Sequence, residues 1–290
     1  MSAGAEGHPA YQRLKLATIA PHVLHVELHR PDKLNAFDEL FWEEMRLCFE
    51  RVAYDAEVRV VLVSAAGRLF TAGLDLAAVA SIGPSTGGSK DVARAALRIR
   101  RTGKAWQDSF TNMEKCGKAV IVCAHGGVIG AGLEMMSACD VRLCTRDAYF
   151  IMAEVDVGLA ADVGGLQRFP KVVGNQSLVR ELALSARRME AEEALRMGFI
   201  SRLFDTKDAM FDAALELAKQ IAGKSPVATL GVKEFLNYSR DHSVDESLDF
   251  AITWNMSMLQ GTDMALAAAG KMQRSLPKFN SIPASTRSKL

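Results

Sequence analysis

The sequence predicts an α/β core followed by a helical C-terminal region, and three patterns carry that prediction. Two apolar runs, Val58 to Ser64 and Ala119 to Ala124, suit strands, the first a continuous β-branched run of the kind buried on both faces. A strand, a tight loop and a helix then recur as a unit. Beyond Phe204 nearly every segment has helical periodicity.

Taken in order, Leu16 to Leu28 is β-favouring and broken at Ala20 to His22, which reads as two strands and a turn. Arg30 to Asn35 is a loop. Phe37 to Tyr54 places Phe37, Leu40, Phe41, Met45, Phe49 and Val52 at helical spacing, ahead of the strand at Val58. After Leu76 a Gly/Ser/Pro stretch, Gly83 to Ser89, reads as a mobile surface loop, followed by a long helix over Asp91 to Lys115. Ala119 to Ala124 opens the second round, with a glycine-rich loop over Gly126 to Gly132 and a short helix over Leu133 to Ala138. Strands follow at Val141 to Thr145 and Ala148 to Met152. The last part reads as helices over Ala209 to Ala222, Pro226 to Tyr238 with proline in the first turn, Val244 to Gln260 and Asp263 to Met272. Trp254, Met256, Met258 and Leu259 give these helices more apolar surface than one thin layer buries on itself, so part of it reads as a subunit contact or as ordinary intramolecular core.

The chain has 290 residues, 49% of them hydrophobic, enough for one large domain or two modest ones with a sizeable core. Disorder and a disulfide-stapled scaffold are excluded. Lysine and arginine number 35 against 34 for aspartate and glutamate, so no overall field draws the chain to nucleic acid or to an anionic membrane. The longest apolar stretches are far shorter than a membrane span, and no membrane insertion is expected. Cys48, Cys116, Cys123, Cys139 and Cys144 form no CxxC pair and read as buried free thiols, with no metal site indicated. Met1 to Pro9 has the pattern of neither a secretory signal nor a mitochondrial presequence, whereas Ser288, Lys289 and Leu290 spell the tripeptide read by the peroxisomal import receptor. The expected location is the peroxisome, or a specialised relative such as the glycosome, ahead of the mitochondrion.

Two glycine-containing turns have the character of ligand-facing backbone. They are Phe70-Thr71-Ala72-Gly73-Leu74-Asp75-Leu76 and His125-Gly126-Gly127-Val128-Ile129-Gly130-Ala131-Gly132. If they lie side by side, one NH from each could hold a single developing oxyanion. No GK[ST] follows the second turn and no G-x-S-x-G occurs, which excludes a Walker loop and a nucleophile elbow. Carboxylates in apolar surroundings are the candidate acids and bases: Glu134 at the start of a helix, Glu154 in Phe-Ile-Met-Ala-Glu-Val, and Asp162 in Gly-Leu-Ala-Ala-Asp-Val-Gly-Gly. Singly, Glu134 also reads as a first-turn carboxylate facing a helix dipole, Asp162 as the N-cap of a helix over Gly164 to Val173, and Asp156 as a solvated loop charge. His22, His25 and His29 alternate along a strand, His125 opens a loop, and all four read as structural.

These pieces together resemble the enoyl-CoA hydratase/isomerase (crotonase) superfamily over roughly residues 15 to 275. The matching strings are Arg30-Pro-Asp-Lys-Leu-Asn-Ala36, Phe70 to Leu76, Gly130-Ala-Gly-Leu-Glu134 with Ala138-Cys-Asp140, and Gly164-Gly-Leu-Gln-Arg168. Within it, Glu154 to Gly164 and Tyr238 to Leu248 look like the Δ3,5-Δ2,4-dienoyl-CoA isomerases.

The resemblance implies a spiral of repeated ββα units over residues 15–205, after an N-terminal extension over 1–14. A helical region over 206–290 would serve oligomerisation and cover the active site. It further implies trimers or hexamers, an acyl-CoA thioester substrate, and no cofactor, coenzyme A being part of the substrate. By similarity the NH groups of Leu74 and Ala131 form the oxyanion hole, Ala72, Gly73, Leu74, Asp75, Leu76 and Ala131 bind substrate, Glu154 is the base at C2 and Asp162 the acid at C6. Lys33, Arg68 and Lys278 are basic candidates for the CoA phosphates. Three positions depart from the pattern: Ala131 stands for the usual glycine, Ala161 for the proline of hydratases, and Glu134 for the aspartate of dienoyl isomerases, which points to side hydration of 2-enoyl-CoA. The alternatives are an enoyl-CoA hydratase or Δ3-Δ2-enoyl-CoA isomerase, and a non-catalytic acyl-CoA-binding or RNA-binding scaffold.

Overall fold

A computed structural model of the chain describes residues 8–75, 77 and 91–283. Strands β1 (Leu14–Ala20) and β2 (Val23–Leu28) form the expected hairpin, with His22 in left-handed conformation at the turn rather than on a strand. Helix α1 (Glu39–Tyr54) starts where the Asp38 side chain accepts from the Phe41 NH at 2.9 Å, which satisfies an otherwise unpaired first-turn donor. Then come β3 (Val60–Ala65), α2 (Val92–Lys115), β4 (Ala119–Ala124), β5 (Gly127–Ile129), α3 (Ala131–Ser137), β6 (Val141–Thr145) and β7 (Tyr149–Ile151). The segment Gly83 to Ser89 lies outside the described residues.

Strands β1, β2, β3, β4 and β6 pair in that order, parallel except for the first hairpin, and β9 (Arg202–Phe204) closes the sheet. Side chains alternate across this sheet. Val61, Val63, Val120 and Val122 face the main core with Phe41, Met45, Phe49 and Met113, while Val60, Leu62, Ile121 and Cys123 face the other side. There α7 (Lys207–Ala222) lays Met210, Ala214, Ala218 and Ala222 on them, a stripe at four-residue spacing whose small side chains let the helix sit close. The apolar runs are buried on both faces, as their sequence predicts.

Strands β2, β3, β4 and β6 of the large sheet are each followed by a short extended piece in a second layer. Parallel bridges join Phe37 to Leu74 and Thr71 to Val128, and β5 pairs with β7, which pairs with β8 (Met189–Glu190). This repetition is the predicted spiral of ββα units. Three segments differ from the sequence reading. The glycine-rich loop contains β5 and gives way to α3 two residues before Leu133, because Gly127 and Ile129 carry the bonds to Thr71. Helix α4 (Gly165–Val172) is capped by Gly164, not Asp162: Gly164 has φ 126°, and the guanidinium of Arg168, paired with Glu114 at 3.1 Å, fills the space a Cβ there would need. Residues 173–204 hold α5 (Gln176–Ser185), β8, α6 (Ala191–Arg196) and β9, none of them predicted.

The C-terminal helices α8 (Pro226–Ser239), α9 (Val244–Met258) and α10 (Asp263–Gln273) follow the expected bounds closely. The buried Lys233 ammonium fastens α8 to the core through the carbonyls of Met113 (3.1 Å) and Lys118 (2.8 Å) and the carboxylate of Asp140 (2.8 Å). Trp254 turns inward against Phe235 and Gly231, whereas Val244, Leu248, Ile252 and Met256 form an exposed stripe on α9. All five cysteines are buried and unpaired.

Candidate active site

The first glycine turn is set by Asn35, which is buried and in left-handed conformation. Its side-chain amide donates to the carbonyls of Ala66 at 2.8 Å and Phe70 at 3.1 Å, and the Thr71 hydroxyl donates to the Asn35 carbonyl at 2.7 Å. The same hydroxyl accepts from the Gly73 NH at 3.0 Å, and Gly73 turns with φ 80°. Phe37 then bridges the far side of the turn, its NH donating to the Gly73 carbonyl at 2.7 Å and its carbonyl accepting from Asp75. Leu74 lies between those two partners, so its NH points the other way and meets no acceptor among the described residues.

The second turn is β5 and the start of α3. Thr71 and β5 exchange two bonds of 3.1 Å, Gly130 donates to the Ile151 carbonyl at 2.8 Å, and Ala131 takes the first helical position, where an NH has no partner inside the helix. A Cβ on Gly73 would lie 2.6 Å from the Ile129 carbonyl oxygen and 3.7 Å from the Ala131 nitrogen. The two turns are therefore side by side, and only glycine fits between them. Ala131 lies outside the left-handed region, so its side chain imposes no backbone strain.

A cleft of about 850 Å³ opens over these turns, and Ala72, Leu74, Asp75 and Ala131 line it while Gly73 is buried behind them. Leu76 lies outside the described residues. Asp75 is held by Arg30, whose guanidinium donates to its carboxylate at 2.8 Å and to the Ala36 carbonyl at 2.9 Å. That guanidinium keeps the Asp75 carboxyl below the usual carboxylate range.

All three candidate carboxylates reach this cleft. Glu134, in the first turn of α3, is 1% exposed and its Oε1 accepts from the Gly165 NH at 2.9 Å. Burial, followed by the charge of Glu154, pushes its pKa up to about 8 against the pull of the Gly165 and Val163 NH groups. Glu154 opens a 3-10 turn after β7. Burial raises its pKa, the Asp162 charge adds to this, and its own NH opposes it. Its Oε2 is buried with no hydrogen-bond partner among the described residues. Asp162 is exposed at the mouth, and its main-chain oxygen accepts from Gln107 Nε2 at 2.8 Å. A pair of free NH donors and a set of carboxylates around one cleft can take a proton from one carbon, hold the resulting oxyanion and return a proton elsewhere.

The structure adds residues that the sequence did not single out. Ile99, Gly103, Trp106 and Gln107 of α2 line the cleft, with Trp42 stacked on Trp106 at a centroid distance of 5.1 Å. The helical pattern of α2 was visible, but which face meets a ligand depends on packing that no local pattern states. Of the basic candidates only Lys33 borders the cleft, joined by Arg100 and Lys104 of α2. The histidines are engaged structurally: His25 with the Ser64 hydroxyl at 2.7 Å, His125 with the Gly67 carbonyl at 3.0 Å, and His29 with Glu27 at 3.0 Å.

Residues 18–272 match the family described as Enoyl-CoA hydratase/isomerase. The chain is 52% identical over 264 residues to the mitochondrial Delta(3,5)-Delta(2,4)-dienoyl-CoA isomerase of Mus musculus, covering 91% of this chain and 80% of that one. It is 37% identical to the peroxisomal Delta(3,5)-Delta(2,4)-dienoyl-CoA isomerase of Arabidopsis thaliana, covering 89% and 92%. The crystal structure of an enoyl-CoA hydratase from Bacillus anthracis superposes with a TM-score of 0.83 at 23% identity, covering 93% of this chain and 99% of that one, which is a likeness of fold.

Proposed function

The chain belongs to the enoyl-CoA hydratase/isomerase family, and from that premise we propose that it isomerises 3,5-dienoyl-CoA to 2,4-dienoyl-CoA in the β-oxidation of unsaturated fatty acids. The observation that carries the mechanism is the buried, partnerless Oε2 of Glu154 in a cleft that also holds Asp162 and the free NH groups of Leu74 and Ala131. Glu154 removes a proton from C2. The electron pair delocalises from the thioester oxygen, held by the two NH groups, out to C6, where Asp162 delivers a proton and the conjugated 2,4-diene is released. Its raised pKa makes Glu154 a stronger base than a solvated glutamate. The reaction is redox-neutral and asks for no resident cofactor beyond the coenzyme A of the substrate.

The test is an ultraviolet assay on 3,5-octadienoyl-CoA, following growth of the conjugated dienoyl chromophore. Wild type should show it and Asp162→Asn should lose it by about 10²-fold or more. Full activity in that variant would remove Asp162 from the mechanism, and an inert wild type would leave the scaffold reading.

A second activity has its own observation. Glu134 stands beside Glu154 in the same cleft with a pKa pushed up to about 8, which suits it to position and protonate around a water. We expect slow hydration of 2-enoyl-CoA, read as loss of enone absorbance, and lost in Glu134→Gln.

The exposed α9 stripe is read as a contact between copies of this chain in a trimer or hexamer, which sedimentation of wild type and of Ile252→Asp would check. Ser288, Lys289 and Leu290 lie outside the described residues and are read as the peroxisomal address, tested by the location of a fluorescent fusion with and without them. Relatives named mitochondrial and peroxisomal both occur, so the expectation that ranks the mitochondrion lower draws no support from them.

A further inference from the structure

Helix α2 carries a glycine that packing among the described residues does not explain. Gly103 sits in the middle of Val92–Lys115, where glycine destabilises a helix relative to alanine because it has more backbone freedom to lose. Other glycines within helices have a neighbour in the space a Cβ would take: the methyl of Thr71 at Gly132, Trp254 Nε1 at 3.2 Å for Gly231, and the Ser275 carbonyl at 2.9 Å for Gly270. At Gly103 nothing among the described residues lies within 4 Å of that space.

The empty space belongs to the cleft. Gly103 lines it, with Ile99 one turn before and Trp106 and Gln107 one turn after on the same helix face. Gln107 donates to the main-chain oxygen of Asp162 at 2.8 Å, so this face begins beside the residue proposed to protonate C6. With C6 at Asp162, carbons beyond it would meet this face of α2. The apolar bodies of Ile99 and Trp106, the latter backed by Trp42, suit a hydrocarbon, while Arg100 and Lys104 flank the strip and Lys104 pairs with Asp108 at 3.3 Å.

We propose that the gap at Gly103 is the passage for the distal acyl tail, and that the side chain at position 103 sets the chain length the cleft accepts. This rests on the isomerase reading, because C6 at Asp162 directs the tail toward α2.

The experiment measures binding of CoA and of saturated hexanoyl-, decanoyl- and tetradecanoyl-CoA by calorimetry to wild type, Gly103→Ala and Gly103→Leu, with melting temperatures alongside. Gly103→Ala should melt about 2 °C higher, since it relieves the helix of its glycine. Despite that gain, its affinity for tetradecanoyl-CoA relative to hexanoyl-CoA should fall about threefold, and that of Gly103→Leu about thirtyfold or more. Equal weakening at every length, CoA included, would assign the gap to the nucleotide end and overturn the proposal, as would unchanged affinity throughout. Saturated thioesters are not isomerised, so this readout stands apart from turnover. A wild type that shows the length-dependent loss on mutation yet leaves 3,5-octadienoyl-CoA unconverted would overturn the isomerase reading alone.

Discussion

The main-chain NH of Gly165 donates to Oε1 of Glu134 across 2.9 Å, joining the first turn of α4 to the first turn of α3 at the floor of the cleft. Only glycine allows that approach, because a Cβ at position 165 would sit 2.7 Å from Cγ and 2.8 Å from Oε1 of Glu134. Gly165→Ala should displace the Glu134 carboxyl into the cleft and lower kcat on 3,5-dienoyl-CoA by about 10²-fold with the melting temperature changed far less. Steady-state kinetics on the folded variant checks this.

Glu134 also sets a pH dependence of stability. Its folded pKa of about 8 lies above the unfolded value of a glutamate, so between those values the folded chain holds a proton that the unfolded chain has released. The folded state binds more protons there, and its stability falls as pH rises from about 4.5 through about 8. Glu134→Gln keeps the acceptor for Gly165 and removes the titration. Its melting temperature should overtake that of wild type between pH 5 and pH 9, by a free energy of at most ~5 kcal/mol. Parallel melting curves across that range would sink the assignment.

Gly73 is the second position where a methyl group is too much. It combines φ 80° with a Cβ position 2.6 Å from the Ile129 carbonyl oxygen. Gly73→Ala should force the two turns apart and take the Leu74 NH out of line with that of Ala131. The expected loss in kcat is about 10²- to 10³-fold, the effect of one missing oxyanion donor, with KM for the thioester less affected.

Lys233 makes a prediction about stability away from the chemistry. Lys233→Met leaves two carbonyls beneath α8 without the ammonium and the Asp140 carboxylate with only the Val120 NH, at 2.7 Å, and should cost about 1–3 kcal/mol. Denaturant unfolding reads the loss. The fraction that stays folded should keep its kcat, since none of these groups lines the cleft.

The strands at Val60–Ala65 and Ala119–Ala124 were legible because burial on both faces demands an unbroken apolar run, and such a run is visible without any partner. Strand β8 and helix α6 were not, because they have two and six residues, too few for a period to register. They are held by tertiary burial of Met189, Ala191 and Ala194. Glu134 and Glu154 could be found as charges in apolar strings. The capping role offered for Asp162 failed because α4 begins at Gly165 with Gly164, at φ 126°, as its N-cap, where Arg168 occupies the space a side chain would need. Asn35 has no task visible in the sequence, since its side chain binds carbonyls of a segment that follows another strand.

The bridge between Thr71 and Val128 joins pieces of chain separated by α2 and β4, and the NH groups of Leu74 and Ala131 on either side of it, proposed as the oxyanion donors, exist as a pair only once that loop has closed. Loop closure costs entropy before its contacts return anything, so such long-range pairings form late in folding. Helices such as α7 and α9 draw on contacts one turn apart and need no such closure. In a refolding chain, far-ultraviolet ellipticity will rise first and turnover will lag behind it, so that catalysis itself becomes the clock for the final step of assembly.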